Sequence, residues 1–192
     1  MAELTRQPLS RVIGYMRDLR EAEDSSPAKG RGVTAPDMTA HDAAALYCAI
    51  YAAPAIQESA ATITALKKLE ARPWSRHRVS TSSAYRYPYS EPPFSLGLEP
   101  NHTALDGLAA LITFFMHEHE LPHGYSERRG PGKWGIYANF EIRSPEYSAS
   151  LVVGVHGRFS ERWNYGLKEL DSVRTGRCTE ITFRKLAACL RS

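Results

Sequence analysis

The chain has 192 residues, 43% apolar, 23% charged and 10% aromatic, with 24 Lys and Arg against 21 Asp and Glu for a formal charge of +3. That composition excludes a chain disordered throughout, and the length allows one domain or two small ones around a real core. A charge of +3 is too small to indicate nucleic acid by itself, so the distribution of the basic residues decides.

From Gln7 to Glu23, Leu9, Val12, Ile13, Met16 and Leu19 recur at helical spacing, with Pro8 suited to the first turn and Arg11, Arg17 and Arg20 mostly on the wet side. The Ser-, Pro- and Gly-rich stretch 24–36 reads as a loop. Thr39 followed by Asp42 has the form of a capping box, which predicts a helix over 40–52 with Ala43, Leu46, Tyr47 and Ile50 turned inward. Pro54 ends that helix and can open another, marked by Ile56, Ala60, Ile63, Leu66 and Leu69 up to about Glu70. Residues 1–71 are therefore expected to form a three-helix unit. The Pro, Ser and Tyr content of 72–100 sustains neither helical nor strand periodicity and predicts a linker.

Thr103 and Asp106 repeat the capping pattern ahead of Leu105, Leu108, Ala109, Leu111, Ile112, Phe115 and Met116, a helix apolar around most of its circumference. Trp134, Ile136, Ala138, Phe140 and Ile142 then alternate with Gly135, Tyr137, Asn139 and Glu141, as in a strand with one buried face. A turn at 144–146 leads to a second strand over 148–156, and 159–165 is a candidate third. Phe183, Leu186, Ala187 and Leu190 define a closing helix with Thr182 as its cap. The expected fold class is α+β: a three-helix N-terminal unit, then a small antiparallel sheet packed with two helices, with 101–192 as an α+β domain.

The basic residues are unevenly placed. Between Lys67 and Arg86 stand Lys67, Lys68, Arg72, Arg76, Arg78 and Arg86 with His77, against Glu70 alone, and Trp74, Tyr85 and Tyr87 are interleaved. This mixture suits phosphate neutralisation with aromatic contacts, and it also suits a solvated helix end whose cations complement the helix dipole. The loop Lys29-Gly30-Arg31-Gly32 has the Gly-Arg core of a minor-groove hook without the following proline, and equally the make-up of a flexible connection. With three short helices it permits a helix-turn-helix in which the helix opening at Thr39 or the one opening at Pro54 enters the major groove. The join Ala52-Ala53-Pro54 is short enough, although it lacks the usual glycine. The candidate nucleic-acid contacts are Lys29, Arg31, Lys67, Lys68, Arg72, Arg76 and Arg78.

Catalytic chemistry is less well supplied. His117, His119 and His123 could offer three imidazoles, but on a helix the first two diverge by about 200°, and Leu121 breaks the HExxH pattern, so no metal is expected. A metal-dependent enzyme centred on them is the remaining alternative class. Cys48, Cys178 and Cys189 show no CxxC spacing, and Cys48 reads as a small core residue. There is no GxSxG, P-loop or GxGxxG after a strand, and Gly130-Pro131-Gly132-Lys133 lacks the Walker spacing. Neither an enzyme nor a cofactor is expected. Trp134, Tyr137, Trp163 and Tyr165 suit either a stacking platform or core packing. No run of about 18 apolar residues exists, and Met1–Arg6 lack the apolar stretch of a secretory signal, which leads to the expectation of a cytoplasmic protein with no membrane partner.

The run Pro36-Asp37-Met38-Thr39-Ala40-His41-Asp42-Ala43-Ala44-Ala45-Leu46, behind a basic Gly-rich loop and an Arg-bearing first helix, resembles a group of uncharacterised phage- and prophage-encoded proteins. The ending Glu180-Ile181-Thr182-Phe183-Arg184-Lys185-Leu186-Ala187-Ala188-Cys189-Leu190 is similar to the same group. The resemblance implies a mobile-element context and supplies no activity, cofactor or site residue. The expectation is a DNA-binding regulatory protein of a phage or mobile element, its first half on DNA and its second half supporting a homodimer. The alternative is a non-enzymatic phage interaction protein, either an inhibitor of a host defence complex or a virion component.

Overall fold

The computed structural model describes residues 5, 7–22, 38–71, 75–77, 96–117, 136–144, 147–155, 159–166 and 174–191. In chain order these form α1 (Leu9–Glu21), α2 (Ala40–Ala52), a 3-10 turn (Ile56–Glu58) running into α3 (Ser59–Leu66), β1 (Ser75–His77), α4 (Ala104–Met116), β2 (Ile136–Ser144), β3 (Ser148–Val155), β4 (Phe159–Tyr165), β5 (Arg174–Thr179) and α5 (Glu180–Arg191). The class is α+β, with helices first and an antiparallel sheet after them.

The helix starts follow the predicted chemistry. At α2 the Asp42 N–H donates to Thr39 Oγ1 (3.1 Å) and the Thr39 N–H donates to Asp42 Oδ2 (2.9 Å). The same reciprocal pair opens α4, where Asp106 N–H to Thr103 Oγ1 is 3.3 Å and Thr103 N–H to Asp106 Oδ2 is 2.8 Å. Each box satisfies two backbone donors that helix geometry leaves unpaired. Helix α3 has no such residue of its own. Its Ala60 N–H donates instead to Asp18 Oδ2 on α1 (3.3 Å), so a side chain 42 residues away acts as the cap.

The sheet runs in the order β1-β4-β3-β2-β5, every pairing antiparallel. Alternation in β2 sets the register: Phe140 faces Leu151 on one side and Cys178 on the other, all three buried, and Ala138 faces Val153. Two strands were not predicted. β1 lies within the segment expected to be a linker, and β5 precedes the closing helix with only Cys178 as a clear inward apolar residue. Helix α5 follows β5 directly from Glu180, so Thr182 lies inside it and is not its cap.

Helices α2, α4 and α5 pack on the sheet through β2, β3 and β5, and α1 and α3 pack on α2. Nine of the thirteen residues of α2 are buried, five of them the alanines 43, 44, 45, 49 and 52, whose small side chains let neighbouring backbones approach from several directions. Phe115 of α4 stacks on Phe183 of α5 at 5.6 Å with an interplanar angle of 5°. Residues from 12 to 187 thus share one apolar cluster.

Candidate nucleic-acid interface

Helix α2 is the core of the molecule, which corrects one half of the helix-turn-helix expectation: with Ala43 to Ile50 all buried, the helix opening at Thr39 offers no face to a groove. The helix opening after Pro54 does. Gln57, Ala61, Thr64 and Lys68 are exposed and recur at i, i+4, i+7 and i+11, which is one stripe along the 3-10 turn and α3. The opposite side, Ser59, Thr62, Ile63 and Leu66, is buried against α1 and α2. Gly14 of α1 makes room for Ile56 at the start of this element: a Cβ there would lie 3.0 Å from Ile56 Cδ1. The stripe is therefore carried on a braced element.

Of the predicted contacts, Lys67 and Lys68 are both exposed at the C-terminal end of α3, where their charge also complements the helix dipole. Arg76 is in β1, its backbone opposite Glu161 of β4. Lys29, Arg31, Arg72 and Arg78 lie outside the described residues, as do His119 and His123. His117 is exposed at the C-cap of α4.

The aromatic residues divide between the two faces of the sheet. Tyr137 is half-buried on the face away from the helices, whereas Tyr165 is buried on the helix side and Trp163 is half-buried there. Both pack edge-on against His102, at ring distances of 5.5 and 6.1 Å. His102, buried just before α4, was not singled out in the sequence. Its Nδ1 lies 2.6 Å from the Glu99 carbonyl oxygen and its Nε2 lies 2.8 Å from Tyr165 Oη. A carbonyl can only accept, so Nδ1 carries a proton, and in the neutral imidazole Nε2 then accepts from the phenol. Burial and then the Asp106 charge push the Tyr165 phenol up, which keeps that proton in place. The network pins the end of β4 to the entrance of α4. A solitary His preceding a capping box carries no sequence signal of such a role.

The buried thiols are also structural in character. Burial, then the neighbouring Cys178, push the Cys48 thiol up, and burial pushes Cys178 up to about 12 against hydrogen bonds with Thr182 and Tyr47 that pull the other way. Neither is a thiolate at neutral pH. No group of His, Cys, Asp or Glu among the described residues is arranged to hold a metal ion, and none of the described helices is long and apolar enough to cross a membrane. In comparisons with family models, curated proteins and solved structures, nothing matches this chain.

Proposed function

We propose that the chain is a DNA-binding regulatory protein that reads duplex DNA with α3. The observation that carries this reading is the exposed stripe Gln57, Ala61, Thr64 and Lys68 on an element held by α1 and α2. Its chemistry suits the major groove: a glutamine amide pairs with the N6 and N7 edge of adenine, methyl groups of Ala and Thr meet the thymine methyl, and lysine reaches phosphate. Lys67 and Lys68 lie where the helix would leave the groove, and the sequence adds Lys29, Arg31, Arg72, Arg76 and Arg78 to the basic content of the same half. The likeness to phage- and prophage-encoded proteins supports a mobile-element setting. A second reading, a non-enzymatic interaction protein acting on a host complex, draws on a different observation, the exposed Leu9 and Ile13 of α1.

Selection of bound fragments from a random duplex pool, followed by anisotropy titrations at several salt concentrations, tests the first reading. Gln57→Ala should weaken the selected site by about 1–3 kcal/mol and relax its sequence preference. Replacing Lys67 and Lys68 together with Ala should weaken all sequences alike and flatten the log–log salt slope by about two. Absence of duplex binding at low salt, or enrichment of no sequence, would refute it.

A further inference from the structure

Three large apolar side chains stand exposed among the described residues, and two of them, Leu9 (64% exposed) and Ile13 (48%), are one turn apart on α1. Met16 continues their stripe one turn on, and beyond it Ile13, Met16, Arg17, Arg20 and Glu21 line an open hollow of about 450 Å³. Met16 is half-buried at the edge of the core, whereas Leu9 and Ile13 are exposed. Helix α1 is anchored through Val12, Tyr15 and Leu19 on its other side. The side chains of Arg17 and Arg20 have no hydrogen bond or ion pair among the described residues. An apolar strip ending in two exposed guanidinium groups is the composition of an interface centre, because Arg binds carboxylates through a planar fork while its stem packs on apolar atoms.

We propose that this face of α1 is a docking surface for an acidic amphipathic helix of another protein, whose apolar side seats on Leu9, Ile13 and Met16 and whose carboxylates reach Arg17 and Arg20. Charge complementarity selects that occupant. A two-fold pairing of α1 with a second copy would bring Arg17 and Arg20 of both chains together with Glu21 as the exposed carboxylate, since Asp18 is engaged at α3. Phosphate backbones gain nothing from an exposed Leu and Ile. The inference does not rest on DNA binding, which uses a different face.

The test uses the whole protein and a fluorescein-labelled helical peptide of about 18 residues, with Leu at i, i+4, i+7 and i+11 flanked by Glu. Controls are the same peptide with Lys for Glu and a shuffled peptide. The acidic peptide should raise anisotropy in a saturable way. Ile13→Asn and the pair Arg17→Glu with Arg20→Glu should each weaken it at least about tenfold, and the charge-reversed protein should recover binding of the Lys peptide. All three positions are exposed or half-exposed, so melting curves should match the parent and confirm that the variants fold. Equal binding of the shuffled or Lys peptide by the parent, no response to Ile13→Asn, or no binding at about 1 mM peptide would overturn the proposal. So would a concentration-dependent dimer in light scattering that Ile13→Asn dissolves, because the second copy would then be the occupant.

Discussion

Gly107 on α4 and Tyr165 on β4 should be energetically coupled through a single oxygen atom. A Cβ at position 107 would collide with Tyr165 Oη, while its next neighbours, Leu151 Cδ2 and Tyr165 Cζ, would lie at 3.2 and 3.3 Å. Replacing a mid-helix Gly with Ala otherwise gains about 1 kcal/mol from reduced backbone freedom. Forcing an atom into a filled site costs about 1–3 kcal/mol, so Gly107→Ala should be net destabilising by about 1 kcal/mol. Tyr165→Phe removes the offending oxygen but leaves the buried His102 Nε2 without its donor, at about 1–3 kcal/mol. In the double variant the alanine meets only the 3.2 to 3.3 Å neighbours and much of the helix gain returns. The double variant should therefore be more stable than the sum of the two single effects by about 1–2 kcal/mol. Urea unfolding of the four proteins gives this coupling, and thermal melts give a second measure, since each kcal/mol moves Tm by about 2–4 °C at this chain length. Additive effects within about 0.3 kcal/mol, or a Gly107→Ala protein more stable than the parent, would refute the reasoning.

Acid stability should depend on the α4 capping box. Burial opposes the Asp106 carboxylate, but hydrogen bonds from the Thr103 backbone and hydroxyl, helped by the nearby His41 and His102, outweigh it and hold the carboxyl below its ordinary value. A depressed folded-state value means that the contribution is present at neutral pH and is lost as pH falls below about 3.9 through that lower value, so Asp106→Asn should flatten the acid limb of stability against pH. An unchanged acid limb would contradict this. Of the three cysteines, only Cys189 is exposed, so a colourless-to-yellow thiol reagent should titrate one thiol promptly in the native protein and three after unfolding. Prompt reaction of two or three thiols in native buffer would show that Cys48 or Cys178 is reached without unfolding.

Much of this fold can be read from residue order alone, because local chemistry decides it. Thr39 with Asp42 and Thr103 with Asp106 mark two helix starts, and the alternation from Ile136 to Ile142 marks the buried face of β2. Strand β5 escapes such reading because Arg174-Thr175-Gly176-Arg177-Cys178-Thr179 has neither β-branched density nor an apolar alternation, and its place depends on partners in β2. The cap of α3 escapes for a similar reason, since Asp18 reaches it from another helix. For the candidate interface, Lys67 and Lys68 are visible as charge and the inward side of α3 is marked by Ile63 and Leu66, but the wet stripe from Gln57 to Lys68 mixes an amide, a methyl, a hydroxyl and an ammonium and carries no sequence pattern of its own. Composition also says little about α2, whose alanines suit an exposed helix as well as the center of a core.

The position of α2 also orders events during synthesis. Its apolar circumference is complete early, yet strand β5, which helps enclose it, consists of residues 174–179. Contacts between segments so far apart along the chain form slowly, because a long loop must close before they repay its entropy. A nascent chain therefore carries an alanine-lined helix with part of its covering still inside the ribosome, and it commits to its native core late. That interval is when chaperones or premature association have their opportunity.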